Sequence, residues 1–242
     1  MKKSRNHIYV MDLIVSRAEI VAGLERPADV MSLIETIGRA SHASGESKDA
    51  ASARRFVSML IRLGHESVLE HCSVTVRVEC DRAMAQQWTR HRLAAYTMES
   101  QRYVKYGGED LRYVDPELSF GAARWTLSSL QQQQNDDPAV RDALIPMYES
   151  LIKFCRGSSE HYVALLQSGV APEDARAILP NCTRTVFYTT ANLRSWRHFF
   201  GERCCVGAQH NIRRVARELL GQFHSLLPEV FEDLHHKYCV DQ

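Results

Sequence analysis

The sequence predicts an α+β protein, and three observations predict it. Several long segments carry apolar residues at helical spacing, only a few short ones show the β-branched alternation of strands, and the two kinds do not alternate regularly as a parallel α/β fold requires. With 242 residues, 45% of them apolar, the chain has enough material for a substantial core, and it reads as a single domain over 1–242. Lys and Arg, 30 in all, nearly balance 29 Asp and Glu, so no overall field draws the protein onto nucleic acid or an anionic membrane. Any anion site has to be local.

In chain order, IYVMDLIV (8–15) reads as a strand. Segments 28–43 and 50–65 follow as helices, with stripes of Met31, Ile34 and Ile37 and of Phe56, Met59, Leu60 and Leu63. CSVTVRVEC (72–80) alternates as a strand does. Asp81 is placed to cap a helix through RAMAQQWTRHR, which puts Arg90, His91 and Arg92 at its C-terminal end. SSLQQQQNDDPA (128–139) is an exposed connector, and one or two amphipathic helices run from Asp137 to about Leu166, with Gly157 a break. CTRTVFYTT (182–190) is a strand, Asn192 caps LRSWRHFF, and Ile212, Val215, Ala216, Leu219, Leu220 and Phe223 form the cleanest stripe.

Seven cysteines (Cys72, Cys80, Cys155, Cys182, Cys204, Cys205 and Cys239) follow no disulfide-scaffold spacing, and the N-terminus lacks a signal-peptide pattern, so reduced thiols in a cytoplasm are expected. No run approaches the ~18 apolar residues of a membrane span, and a soluble protein is expected. His235, His236 and Cys239 do not amount to a four-ligand set, so no metal is assigned; Cys204 and Cys205 read as packed structural residues.

The stretch QWTRHRLAAYTMESQRYVKY (87–106) gathers donors out of proportion to the net charge of +1. Arginines at 90 and 92 point to opposite sides of a helix end, and Arg102 returns to the same place if the intervening segment is extended. Guanidinium forks so placed hold one phosphate and a second anion. A surface cluster paired to carboxylates explains the same residues, and both readings stand on the triplet alone.

Arg90-His91-Arg92 followed after seven residues by Ser100 resembles the signature of the flavin-dependent thymidylate synthases. GHESVLEH (64–71), Gln87-Trp88, ARAILPNCTRT (175–185), NLRSWRHFF (192–200) and RCCVGAQHNIR (203–213) resemble further blocks of that family in the same order, over roughly residues 8 to 230. The resemblance implies a single-domain fold with a central mixed sheet, flanking helices and active sites between subunits of a homotetramer. It implies methylation of dUMP to dTMP, in which NADPH reduces FAD, methylenetetrahydrofolate supplies the carbon and the flavin the hydride. Residue by residue it implies FAD contacts at Ser67, Arg90, His91, Arg92, Met98, Asn192, Arg194 and His198, and nucleotide contacts at Gln87, Arg90, Ser100, Gln101, Arg102, Arg176 and Arg203. Arg203 takes the catalytic position, favouring ionised N3 of the uracil, because a cation beside the N3/O2 edge stabilises the electron-rich ring. Ser100 lies in the nucleotide site without being a nucleophile, and neither Cys204 nor Cys205 is assigned one. His65 is either a flat contact to flavin or folate or a helix-end cap.

Three positions depart from the family pattern: Ala95 for a serine, Met98 for a Glu or Gln, and Asn211 for a Glu. A thioether at 98 loses hydrogen-bonding capacity, and adjacent Glu99, pointing the other way in an extended segment, is no replacement. A paralogue with another pyrimidine nucleotide, or without methylation activity, is therefore an alternative. A second alternative is a nucleic-acid-binding module using Arg90, Arg92, Arg213, Arg214 and Arg217, against which the near-zero net charge stands.

Overall fold

In the computed structural model the described residues are 13–41, 49–106, 111–120, 123–131 and 137–240. Helices and several small sheets coexist without βαβ alternation, as an α+β protein requires. The strands are β1 (Leu13–Ile14), β2 (Arg17–Ala22), β3 (Ser73–Asp81), β4 (Ala95–Met98), β5 (Tyr113–Val114), β6 (Leu118–Phe120), β7 (Ala123–Trp125) and β8 (Arg184–Asn192). The helices are α1 (Pro27–Ala40), α2 (Ala50–Arg62), α3 (Arg82–Trp88), α4 (Leu127–Gln131), α5 (Pro138–Gln167), α6 (Pro172–Ala175), α7 (Leu193–Arg203), α8 (His210–Leu226) and α9 (Pro228–His235). Residues 8–12 of the expected opening strand and 132–136 of the expected connector lie outside the described residues.

The described residues group into two compact units, neither of them one continuous stretch. The larger takes Ser16–Glu79, Met84–Met98 and Val186 onward. Its four-stranded sheet has the order β2-β3-β8-β4, with β2 antiparallel to β3 and β4 antiparallel to β8. β3 forms because its valines alternate: Val74, Val76 and Val78 are fully buried on one face, and Arg77 on the other pairs with Glu19 of β2 at 3.2 Å. The stripe of α8 is fully buried from Ile212 to Phe223, and its Phe223 meets Phe200 of α7 and Phe231 of α9 at ring centroid distances of 5.3 and 5.1 Å. Each such ring contributes about 1.5–3 kcal/mol by burial. Arg197, itself buried, is held inside this helical layer by Asp233 (2.6 Å), Glu66 (2.8 Å) and the Val230 carbonyl.

α2 buries Ala53, Val57 and Leu60, so its core face is rotated from the expected stripe: Met59 is exposed and Leu63 lies past the helix end. There Gly64, at φ +71°, reverses the chain; its N–H donates to the Ile61 carbonyl (3.0 Å) and that of His65 to the Leu60 carbonyl (2.9 Å). This Schellman arrangement gives His65 a capping role through its backbone.

The smaller unit takes Cys80–Ala83, Glu99–Thr185 and the described residues before Ser16. Its β1 pairs in parallel with β5, and its spine is α5. Gly157 does not break that helix. A mid-helix glycine costs only about 1 kcal/mol, and α5 is anchored on either side of it: Cys155 and Tyr162 enter one apolar cluster with Tyr106, Leu111 and Tyr113, while the Ser158 hydroxyl donates to the Ile178 carbonyl at 2.8 Å.

Candidate active site

The Arg-His-Arg triplet lies just beyond a helix rather than in its last turn. α3 stops at Trp88, Thr89 and Arg90 turn, and His91 and Arg92 are irregular. Buried Trp88 anchors the turn against Phe199 of α7, ring centroids 4.4 Å apart, and the Tyr96 hydroxyl of β4 donates to the His91 carbonyl at 2.5 Å. The triplet is thereby set between α3, β4 and α7.

These elements enclose a cavity of about 330 Å³ in the larger unit, whose lining includes Arg90, His91, Arg92, Tyr96, His198, Glu202 and Arg203. Arg203, at the end of α7, is fixed from two sides. Its Nε–H donates to Nε2 of His91 (3.0 Å) and its Nη2 to the Gln87 carbonyl (3.0 Å), leaving Nη1 without a partner among the described residues. Nε2 of His91 is therefore an acceptor, and the imidazole is neutral. Burial, the Arg203 guanidinium and His198 hold its pKa at about 4, below the ordinary 6.5. The His91 ring also meets Phe199 edge-on at 4.9 Å and His198 at 5.7 Å.

A second cavity of the same unit, about 870 Å³, is lined by Asn192, Arg194 and His198 together with Glu66, Glu70 and Leu93. Leu93, Ser195 and His198 line both. The Asn192 side chain caps α7 as expected, accepting from the Ser195 N–H at 2.8 Å, and Arg194 pairs with Glu70. Ser67 is exposed on the 3₁₀ segment Glu66–His71 and lines neither cavity; nor does Met98, half-buried in β4 opposite Phe187.

Ser100, Gln101, Arg102 and Arg176 belong to the smaller unit. There Arg102 and Arg176 meet on one residue: Arg102 pairs with the Glu173 carboxylate, and Arg176 Nε donates to the Glu173 carbonyl at 3.0 Å. The Ser100 hydroxyl accepts from the Arg102 N–H (3.2 Å). Gln101 is buried, and its Nε2 has no partner among the described residues, a donor whose burial costs about 1–3 kcal/mol until an acceptor reaches it. Glu99 accepts from the Tyr106 hydroxyl (2.7 Å) and pairs with Arg184 (3.3 Å), so its carboxylate is committed elsewhere than to the task of Met98.

Sequence reasoning missed four residues that shape these sites. Glu173 was signalled by its place three residues before Arg176. Glu70 lies within the Gly-His block, but nothing local in the sequence signals its pairing with Arg194. Tyr96 and Arg197 carried no local signal, because the partners of Arg197 are distant in sequence and Tyr96 differs from other β-strand aromatics only in where its hydroxyl ends. Asn211, a departure from the family pattern, is buried, and its Oδ1 lies 3.4 Å from Arg214. Three of the five arginines invoked for a nucleic-acid stripe, Arg213, Arg214 and Arg217, spend guanidinium donors on backbone carbonyls of this chain. Arg213 donates to the Val206 carbonyl (2.8 Å), Arg214 to Ser16 (3.0 Å) and Arg217 to Cys204 (3.0 Å), which weakens that alternative. His235 stacks on His224 at 4.0 Å, and no group of three or more metal-ligating side chains suited to an ion occurs among the described residues. None of the described helices is long and apolar enough to cross a membrane.

The sequence model of a family described as thymidylate synthase complementing protein matches residues 24–229. A flavin-dependent thymidylate synthase of Geobacter sulfurreducens is 33% identical over 220 residues, 88% of this chain and 85% of its own length. One of Pyrococcus furiosus is 32% identical over 210 residues, 84% and 77% of the two chains, and a probable one of Mycobacterium phage L5 is 32% identical over 213 residues, 85% and 81%.

Proposed function

The chain belongs to the family of flavin-dependent thymidylate synthases, and from that premise we propose that it converts dUMP to dTMP, with FAD as cofactor, methylenetetrahydrofolate as one-carbon donor and NADPH as reductant. The observation that carries the reading is the doubly held Arg203 in a cavity lined by cations. A guanidinium fixed through Nε and Nη2 and offering Nη1 is preorganised for an anionic uracil edge, and it reorganises little when charge develops there. His91 stays a neutral acceptor at physiological pH, so Arg203 keeps its orientation.

The donor set suits a flavin dinucleotide. Arg90, Arg92, Arg194 and His198 line the two cavities of the larger unit, and forked cations beside the neutral imidazole of His91 match a pyrophosphate and a planar ring. In this reading Ser67, Arg90, His91, Arg92, Met98 (through its backbone), Asn192, Arg194 and His198 hold FAD, which when bound supplies the hydride. Gln87, Arg90, Ser100, Gln101, Arg102, Arg176 and Arg203 hold dUMP. Arg102 and Arg176 bring cations for the phosphate, and the unpaired amide of Gln101 gains an acceptor. The chain works as one domain, and residues of several subunits of a homotetramer complete each site in the cytoplasm.

Expression in a bacterium lacking every thymidylate synthase tests the reading. Growth without thymidine is expected from this chain and not from an equally abundant Arg203→Ala variant. Failure of the unaltered, soluble chain to support growth would contradict it.

A further inference from the structure

We propose that Cys155 and Cys182 form an oxidisable dithiol, a modification site that a peroxide-class oxidant converts to an intrachain disulfide binding the Arg176-bearing segment to α5. Their sulfurs lie 3.6 Å apart across 27 residues of sequence, both inside the smaller unit. A disulfide needs ~2.05 Å, so the gap closes by side-chain rotation if both backbones already stand where the bond requires them. Both backbones are fixed by hydrogen bonds. The Ser158 hydroxyl, one turn from Cys155, donates to the Ile178 carbonyl (2.8 Å), and the carbonyl of Cys182 itself accepts from the Val114 N–H (2.9 Å). Ser159 bonds the Tyr113 hydroxyl at 2.8 Å on the same strand that carries Val114.

The two thiols are unequal in the way a reacting pair has to be. Cys182 is partly exposed and Cys155 is buried, so an oxidant meets Cys182 first. The S–H of Cys155 stabilises a Cys182 thiolate, which lies below the ordinary thiol pKa for that reason, while Cys155 lies above it. The Cys182 thiolate attacks a peroxide oxygen, the O–O bond breaks, and Cys182 becomes a sulfenic acid. Sulfur of Cys155 then attacks sulfur of Cys182, its proton leaves with the hydroxyl as water, and the S–S bond forms. Two thiols lose two electrons and two protons, and one hydrogen peroxide becomes two waters. Other thiols are poorer candidates: Cys204 is buried and pushed up to about 12 by that burial, and Cys239, exposed, also lies above the ordinary value. The inference rests on these sulfurs alone and survives if the reaction proposed above is wrong. With Cys182 six residues after Arg176, its consequence is a covalent tether on that segment.

The full-length protein, treated with hydrogen peroxide under native conditions, alkylated in denaturant and digested without reductant, tests it. The expected result is a cross-linked peptide pair containing Cys155 and Cys182, two hydrogens lighter than the separate peptides, with thiols falling from the seven of the sequence to five and returning with dithiothreitol. In Cys155→Ser the cross-link is lost and Cys182 becomes trappable by dimedone. Recovery of Cys155 and Cys182 both alkylated after exposed Cys239 has been oxidised, or of Cys182 bridged to any other cysteine, would overturn the proposal.

Discussion

Replacing His91 with leucine probes what holds Arg203. In the folded chain Nε2 of His91 accepts the Arg203 Nε–H at 3.0 Å inside the cavity shared with Arg90 and Arg92. Leucine fills much of the ring's space and offers no acceptor, so a charged donor in a half-buried site loses its partner and the guanidinium is left with the Gln87 carbonyl. A hydrogen bond to a charged group is worth about 1.5–3 kcal/mol, which corresponds to about 10–150-fold in an equilibrium or rate constant. If that energy serves to aim Nη1, the loss falls on dUMP: its dissociation constant, read from the perturbation of bound-flavin absorbance, and kcat/KM for dTMP both worsen by that factor. His91→Asn keeps an acceptor oxygen and recovers part of the loss. A leucine variant that binds dUMP as the unaltered protein does, while its affinity for FAD collapses, would refute the reasoning and leave His91 as a flavin contact only.

Arg197→Ala leaves Asp233 and Glu66 facing a buried gap and is expected to lower stability by about 3 kcal/mol in urea titrations at neutral pH, whereas Asp233→Asn, at the half-exposed end of the pair, costs about 1 kcal/mol. Glu173→Gln releases Arg102 from an exposed pair and is expected to tighten dUMP binding by less than about fivefold at low ionic strength, an advantage that added salt removes. Because the folded chain protonates His91 near pH 4 and the unfolded chain near 6.5, the unfolded state binds the extra proton between these values. Stability from this group is thus complete above pH 6.5 and falls by about 1–3 kcal/mol as the pH drops to 4, a loss that denaturation curves should show diminished in His91→Leu.

The α8 stripe and the β3 alternation were legible because burial there follows a local period, 3.6 or 2, that the sequence prints directly. The same logic failed where tertiary contact outweighs propensity. Gly157 is a breaker by rule, yet α5 runs through it because Cys155, Ser158 and Tyr162 are all engaged on neighbouring chain. The end of α3 was misplaced by four residues, since what terminates the helix is the seating of Trp88 against Phe199 rather than a cap motif. Within the site, the block pattern located the donors but not their partners. That Arg203 leans on His91, that Arg102 and Arg176 converge on Glu173 and that Arg194 is paired with Glu70 are facts of three-dimensional neighbourhood, separated in sequence by up to 124 residues.

The central claim is most directly tested by giving the purified chain FAD, NADPH, methylenetetrahydrofolate and dUMP tritiated at C5, and measuring tritium release together with dTMP. Release matched by dTMP is predicted, with Ala95, Met98 and Asn211 as tolerated variation. Neither release nor dTMP from a protein shown to bind FAD and dUMP would contradict the claim.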